Sequence, residues 1–229
     1  MISFSPAALF APALLCTALA CQAARPLATE DSDVLAAGDC EWESFVARET
    51  LLNSPSVDGW ATQGVCGVGF ISQVGLAYGR AKSEGPAVQS VALVGKTALI
   101  QREHDGLGLA LAWAVGGARD PDASFKYQFT LLNLAASKQV AETLTFYANL
   151  GWVRSRSAGT TTWNLAAELA LDIGIGLAVE AYGFDRGKPW LGAGVRWNAT
   201  EQLSFNASYA LHSETQHGKL LTVGFKLAF

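Results

Sequence analysis

The chain has 229 residues, half of them apolar and only 16% charged, with a formal net charge of −4. After the N-terminus no run of eighteen or more apolar residues occurs, which excludes a helical membrane protein. No basic cluster is present to meet nucleic acid.

Residues 1–24, "MISFSPAALFAPALLCTALACQAA", carry no charge. An apolar stretch from Ala7 to Ala20 followed by small residues has the shape of a secretory signal peptide, cleaved between Ala20 and Arg25. The n-region departs from the pattern: it lacks Lys or Arg and contains Pro6. A lipoprotein reading through Cys21 is opposed by Ala18, where such signals place leucine. The next segment, 25–39, is acidic in "TEDSD" and reads as a periplasmic arm or a plug, with disorder and a peptidoglycan contact as the alternatives. Loss of the leader takes Cys16 and Cys21 with it and leaves Cys40 and Cys66, an even pair for an oxidising compartment and hence a disulfide. No histidine or cysteine cluster supports a metal, and no cofactor is expected.

From Cys40 onward, stretches of about ten residues alternate with period two and are separated by turn chemistry. "CEWESFVARET" (40–50) opens the series, with Glu41 and Glu43 on one face. Further strands are expected near 67–81, 88–101, 106–118, 124–135, 142–155, 160–172, 175–185, 189–199, 203–213 and 218–229. "SEGPA", "REHDG", "RDPDAS", "RSAGTT", "FDRGKP", "NATEQ" and "HSETQHG" lie between them. That makes eleven, whereas a bacterial single-chain barrel has an even number. The twelfth candidate is 57–66, "VDGWATQGVC". If it descends while 40–50 ascends, Cys40 and Cys66 meet at the periplasmic ends of neighbouring strands, where a disulfide can span them. Closing that loop would stabilise by roughly 3–4 kcal/mol in the chain-entropy model.

One face of these strands is apolar; the other is mostly Gly, Ala, Ser, Thr and Asn. A soluble β-sandwich would show water a more charged face. The pattern is that of an all-β, up-and-down antiparallel transmembrane barrel of twelve strands over 40–229. Aromatic residues near strand ends (Trp42, Trp60, Tyr78, Trp113, Tyr127, Trp152, Trp163, Trp190, Trp197, Tyr209) read as interfacial girdles. Lys226 is out of phase with Phe225 and Leu227, so the pleat turns it into the lumen. The same parity places Lys96, Lys126, Glu168, Asp172, Glu180 and Arg196 inside. Their mixed signs favour internal ion pairs over a field selecting one ion.

"ARPLATEDSDVLAAGDCEWES" (24–44) resembles the start of mature proteins in the family named for the putative meta-pathway of phenol degradation, proteobacterial outer-membrane proteins. Arg25, Pro26, Leu27, Thr29, Asp31, Gly38, Glu41 and Glu43 carry the resemblance, and Glu30 departs from it. The resemblance implies a Gram-negative outer-membrane barrel with transport or porin-like roles. The terminal Phe229 resembles the signal read by the barrel-assembly machinery. Expected partners are that machinery, outer-membrane lipids and lipopolysaccharide, and a small-molecule solute, with the barrel a monomer.

Enzyme chemistry finds little support. His212 and Ser213 are adjacent on a strand and point to opposite faces, while His104 and His217 sit in polar turns. The sequence thus points to a narrow channel or transporter for small molecules, aromatic or apolar ones by the resemblance. A closed structural or interaction barrel with an ion-paired lumen is the alternative, and a lipid hydrolase the third reading.

Overall fold

A computed structural model describes residues 27–51, 54–102, 106–120, 123–156, 158–213 and 218–229. The leader, Arg25, Pro26, His104 and His217 lie outside these. Twelve strands occur: β1 (Cys40–Thr50), β2 (Val57–Gly69), β3 (Ser72–Lys82), β4 (Val88–Ile100), β5 (Leu107–Arg119), β6 (Lys126–Ala141), β7 (Leu144–Ser155), β8 (Gly159–Leu171), β9 (Ile175–Phe184), β10 (Trp190–Asn198), β11 (Leu203–His212) and β12 (Lys219–Ala228). Each pairs antiparallel with its neighbours in sequence, and β1 closes on β12, so every ladder is paired and no edge is left. Cys40 and Phe229 exchange both backbone bonds at the seam (2.8 and 2.9 Å).

The period-two pattern fixes two faces. Leu76, Leu93, Leu150, Leu165, Val179 and Leu221 stand exposed on the outside, an apolar wall that only lipid can cover. Inside, small residues such as Ala92, Ala110, Ala114 and Ala135 are fully buried. The barrel is therefore of the outer-membrane type. Connections at the end that holds Cys40 and Phe229 are two, six, two, three and four residues long. At the other end they run from three to six, mostly five or six. Short turns mark the periplasmic side, so β1 begins and β12 ends at the periplasmic mouth.

Two boundaries differ from the sequence reading. The strand expected over 67–81 is broken by a two-residue turn at Phe70–Ile71, with φ of 50° and 52°. Both central residues of this hairpin are left-handed, as a type I′ turn requires, but the usual Asn or Gly is absent. The alternation of "VGFISQVGLAY" therefore spans two strands. Asp172, expected on a luminal face, lies beyond the end of β8 in an exposed periplasmic turn; the strand stops at Leu171, so its parity does not reach Asp172.

Candidate functional site: a strap across the lumen

Residues 27–39 run inside the barrel, bonded to luminal side chains. The strap leaves β1 beside β2, where Ala37 bridges Gly67 and the Gly38 amide donates to the Gly67 carbonyl (3.0 Å). Only a glycine fits at 67, since a Cβ there would meet the Ala36 carbonyl oxygen at 2.0 Å. Moving back along the strap, the Leu35 amide donates to Gln73 of β3 (2.9 Å). The Ser32 amide donates to the Ser137 hydroxyl of β6 (2.8 Å). Asn149 of β7 grips the backbone of Glu30 on both sides, accepting from its N–H and donating to its C=O at 2.8 Å each. Asn164 of β8 donates to the Ala28 carbonyl (3.0 Å). The Glu180 carboxylate of β9 accepts from the Ala28 amide (2.8 Å), the Thr29 amide (3.1 Å) and the Thr29 hydroxyl (3.0 Å). Leu27 packs on Ala166 and Ala178, with Tyr147 alongside. Backbone groups that water would otherwise satisfy are thus met by wall side chains.

Charge fixes the middle of the strap. Lys96 of β4 reaches Glu30 Oε1 and Asp31 Oδ1, both at 2.7 Å, with the lysine and Glu30 side chains each only 6% exposed. Burial by itself disfavours the charge on Asp31, but the Lys96 ammonium, with Lys226 further off, outweighs it and holds that carboxyl below its ordinary range. Arg102 pairs with Asp33 (2.5 Å) at the periplasmic end.

Other luminal charges pair among themselves. Arg196 meets Glu168 (3.0 Å), which also accepts from the Tyr147 hydroxyl (3.1 Å). Lys226 meets Glu41 (3.0 Å), and Gln63 donates to Glu43 (2.9 Å). Lys126 lies opposite Ala118, on the luminal side of the ladder, and is exposed at the extracellular rim. Phe229 is exposed at the periplasmic seam, and Cys40 is joined to Cys66, directly opposite it on β2.

The sequence reading did not single out Gln73, Ser137, Asn149 or Asn164. Their signal was present but faint: each is a polar side chain on the small-residue face of its strand. Trp190, expected in a lipid-facing girdle, shares the luminal parity of Gly192, whose Cβ position adjoins Glu180 and Ala210. There it stacks on Tyr182 (ring centroids 6.3 Å apart, 5° between planes) and meets His212 edge-on (5.0 Å). These rings form an aromatic patch at the extracellular mouth. His212 is committed to it, and Ser213 instead donates to the Pro189 carbonyl (2.6 Å), so the two form no nucleophile–base pair.

A family model described as Uncharacterised conserved protein UCP029691 matches residues 11–229. No curated protein sequence matches the chain. The fold is similar to that of the KdgM porin in complex with disordered oligogalacturonate (TM-score 0.63, 8% identity, covering 82% of this chain and 99% of that one). The NanC porin gives 0.60 at 8% identity, covering 80% and 98%. The COG4313 outer membrane channel from Pseudomonas putida F1 gives 0.57 at 12% identity, covering 87% and 98%. At such identities the likeness is one of fold. The family that matches is not the phenol-pathway one; what stands of that resemblance is the outer-membrane barrel.

Proposed function

We propose, for a chain that belongs to the family Uncharacterised conserved protein UCP029691, that the barrel is a narrow outer-membrane channel for small molecules and that the strap gates it. The observation that carries this reading is the way the strap is held. It contacts the wall through side-chain hydrogen bonds and ion pairs, with one short backbone bridge at Gly67. Each neutral bond of this kind exchanges for water at a net cost of about 0.5–1.5 kcal/mol, and the buried Lys96 pairs at more, so that those pairs are the main hold on the strap. A segment held this way can leave the lumen while the ladder stays intact. Fold similarity to two porins and a channel supports the reading without identifying a solute.

The aromatic patch at the mouth favours flat or apolar-faced solutes, because Trp190 and Tyr182 offer ring faces for stacking. A transport role needs no nucleophile, so the reading is non-enzymatic.

A second reading has its own observation. Lys96, Arg196 and Lys226 all have carboxylate partners inside the barrel, as a closed structural barrel would require. Planar-bilayer recording separates the two. A channel gives small, flickering conductance in the intact protein and a larger, steadier one when residues 27–38 are deleted. If the intact protein, the deletion and an Asn149→Ala variant all fail to conduct, and liposomes holding them pass no small solute, the channel reading is wrong.

A further inference from the structure

The outside of the barrel is not uniform. Outward positions on β8, β9, β10 and β11 carry no charged residue. On the arc that follows from β12 to β3, the outward positions at the extracellular ends of β12, β1 and β3 hold Lys219, Arg48, Arg80 and Lys82. The register sets them side by side. Lys219 lies opposite Thr50, next to Arg48 along β1; Asp58 of β2 lies opposite both Arg48 and Lys82; and Trp60 lies opposite Arg80. Gln89 of β4 lies opposite Arg80 and accepts from Arg119 of β5 (2.9 Å), which extends the row by two strands. Among the described residues, Asp58 alone makes an ion pair with these cations, through one exposed contact to Arg48 at 3.4 Å.

Arg48, Arg80 and Lys82 line the upper part of an outward groove of about 430 Å³, whose floor includes Val46, Trp60, Leu221 and Val223. Three cations, with the single carboxylate of Asp58 among them, stand above an apolar floor facing lipid and form an amphipathic site with a surplus of positive charge. Long basic side chains are tolerated there because the cost of a lysine or arginine on the lipid face is high at mid-bilayer and nearly vanishes at the interface. The cations lie at the head-group level of the outer leaflet, where an anionic partner would neutralise the surplus positive charge.

We infer that this groove is a binding site for a phosphorylated lipid of the outer leaflet. The phosphates would lie among Arg48, Arg80 and Lys82, and an acyl chain along Val46, Leu221 and Val223. Arginine's planar fork suits bidentate phosphate contact, while the lysine adds a point charge. The inference rests on the outer-membrane barrel and not on whether the lumen conducts.

The test uses the full-length protein in phosphatidylcholine nanodiscs doped with bisphosphorylated lipid A, with bound lipid counted by native mass spectrometry. Each basic residue near an anionic surface contributes about five-fold. The triple variant Arg48→Ala, Arg80→Ala, Lys82→Ala should therefore lose retained lipid A on the order of 100-fold. Lys138→Ala, outward but at the periplasmic end of β6, should retain it. Dephosphorylated lipid A should bind no better to the intact protein than to the triple variant, and millimolar inorganic phosphate should not displace the lipid. Unchanged heat-dependent mobility on gels establishes that the variants are folded. A loss of less than about tenfold, equal retention of the dephosphorylated lipid, or displacement by free phosphate overturns the inference.

Discussion

Replacing Lys96 with methionine isolates what holds the strap. The substitution keeps most of the side-chain volume and removes the ammonium that lies 2.7 Å from both Glu30 and Asp31. Two neighbouring carboxylates are then left in a poorly solvated site, and breaking a buried pair in this way costs about 3–5 kcal/mol. The neutral bonds from Gln73, Ser137, Asn149 and Asn164 number five. At about 1 kcal/mol each, they contribute together roughly what the lysine does alone. Hydrogen exchange reads the result, because the amides of Ala28, Thr29, Glu30, Ser32 and Leu35 all donate to wall side chains. In Lys96→Met they should exchange roughly 150- to 5000-fold faster, while amides in the β1–β12 seam keep their protection. Unchanged exchange over 28–35 would refute the view that this ion pair holds the strap. Faster exchange throughout the ladder would refute the view that strap and wall are separable.

The pH dependence of strap docking follows from Asp31. Its carboxyl is depressed in the folded state, so its contribution is fully present above the ordinary aspartate value of about 3.9 and is lost as pH falls through the depressed value. Lys96 and Lys226 favour its charge, and Glu30 shares the Lys96 site. Exchange protection of the strap should thus persist from neutral pH to about pH 4 and fall only in stronger acid; loss near pH 6 would contradict this. The Phe70–Ile71 turn holds two non-glycine residues at positive φ, one of them β-branched and the other 95% exposed. Replacing the pair with Asn-Gly should relieve about 1–2 kcal/mol per residue and raise the urea midpoint for unfolding in detergent; an unchanged or lower midpoint would show that the turn is not strained.

What the sequence revealed depends on how local each signal was. Alternation is a property of the backbone pleat, so it disclosed eleven strands and set the faces of Lys96, Glu180 and Lys226 without knowledge of any partner; the twelfth, 57–66, came from the even strand count and the Cys40–Cys66 pair. The same parity in "WLGAGVRWN" turns Trp190 inward, but an expectation about aromatic girdles overrode it. The turn at Phe70–Ile71 was invisible because nothing in those side chains favours left-handed backbone; closure of the β2–β3 hairpin imposes it. The strap's partners were hidden for another reason. Asn149, Asn164 and Ser137 are ordinary residues for a luminal face, and their role appears only when a segment more than a hundred positions away is laid against them. The acidic run "TEDSD" was visible, and its neutralising lysine was already placed inside, but nothing local joined the two.

The partners of the strap also keep an order. From Leu35 back to Ala28 the hydrogen bonds to the strap backbone fall on β3, β6, β7, β8 and β9 in turn, at sequence separations of 38, 105, 119, 136 and 152, while Lys96 of β4 reaches past Ser32 to Asp31 and Glu30. Each contact, once made, shortens the loop that the next must close, and the entropy of closure rises with the logarithm of loop length. A direct bond between Ala28 and Glu180 would have to close the whole span at once. Strands added in sequence instead let the strap fasten from its anchored end, one wall position at a time. Assembly in that order would fill the lumen as the wall grows, without threading a finished barrel.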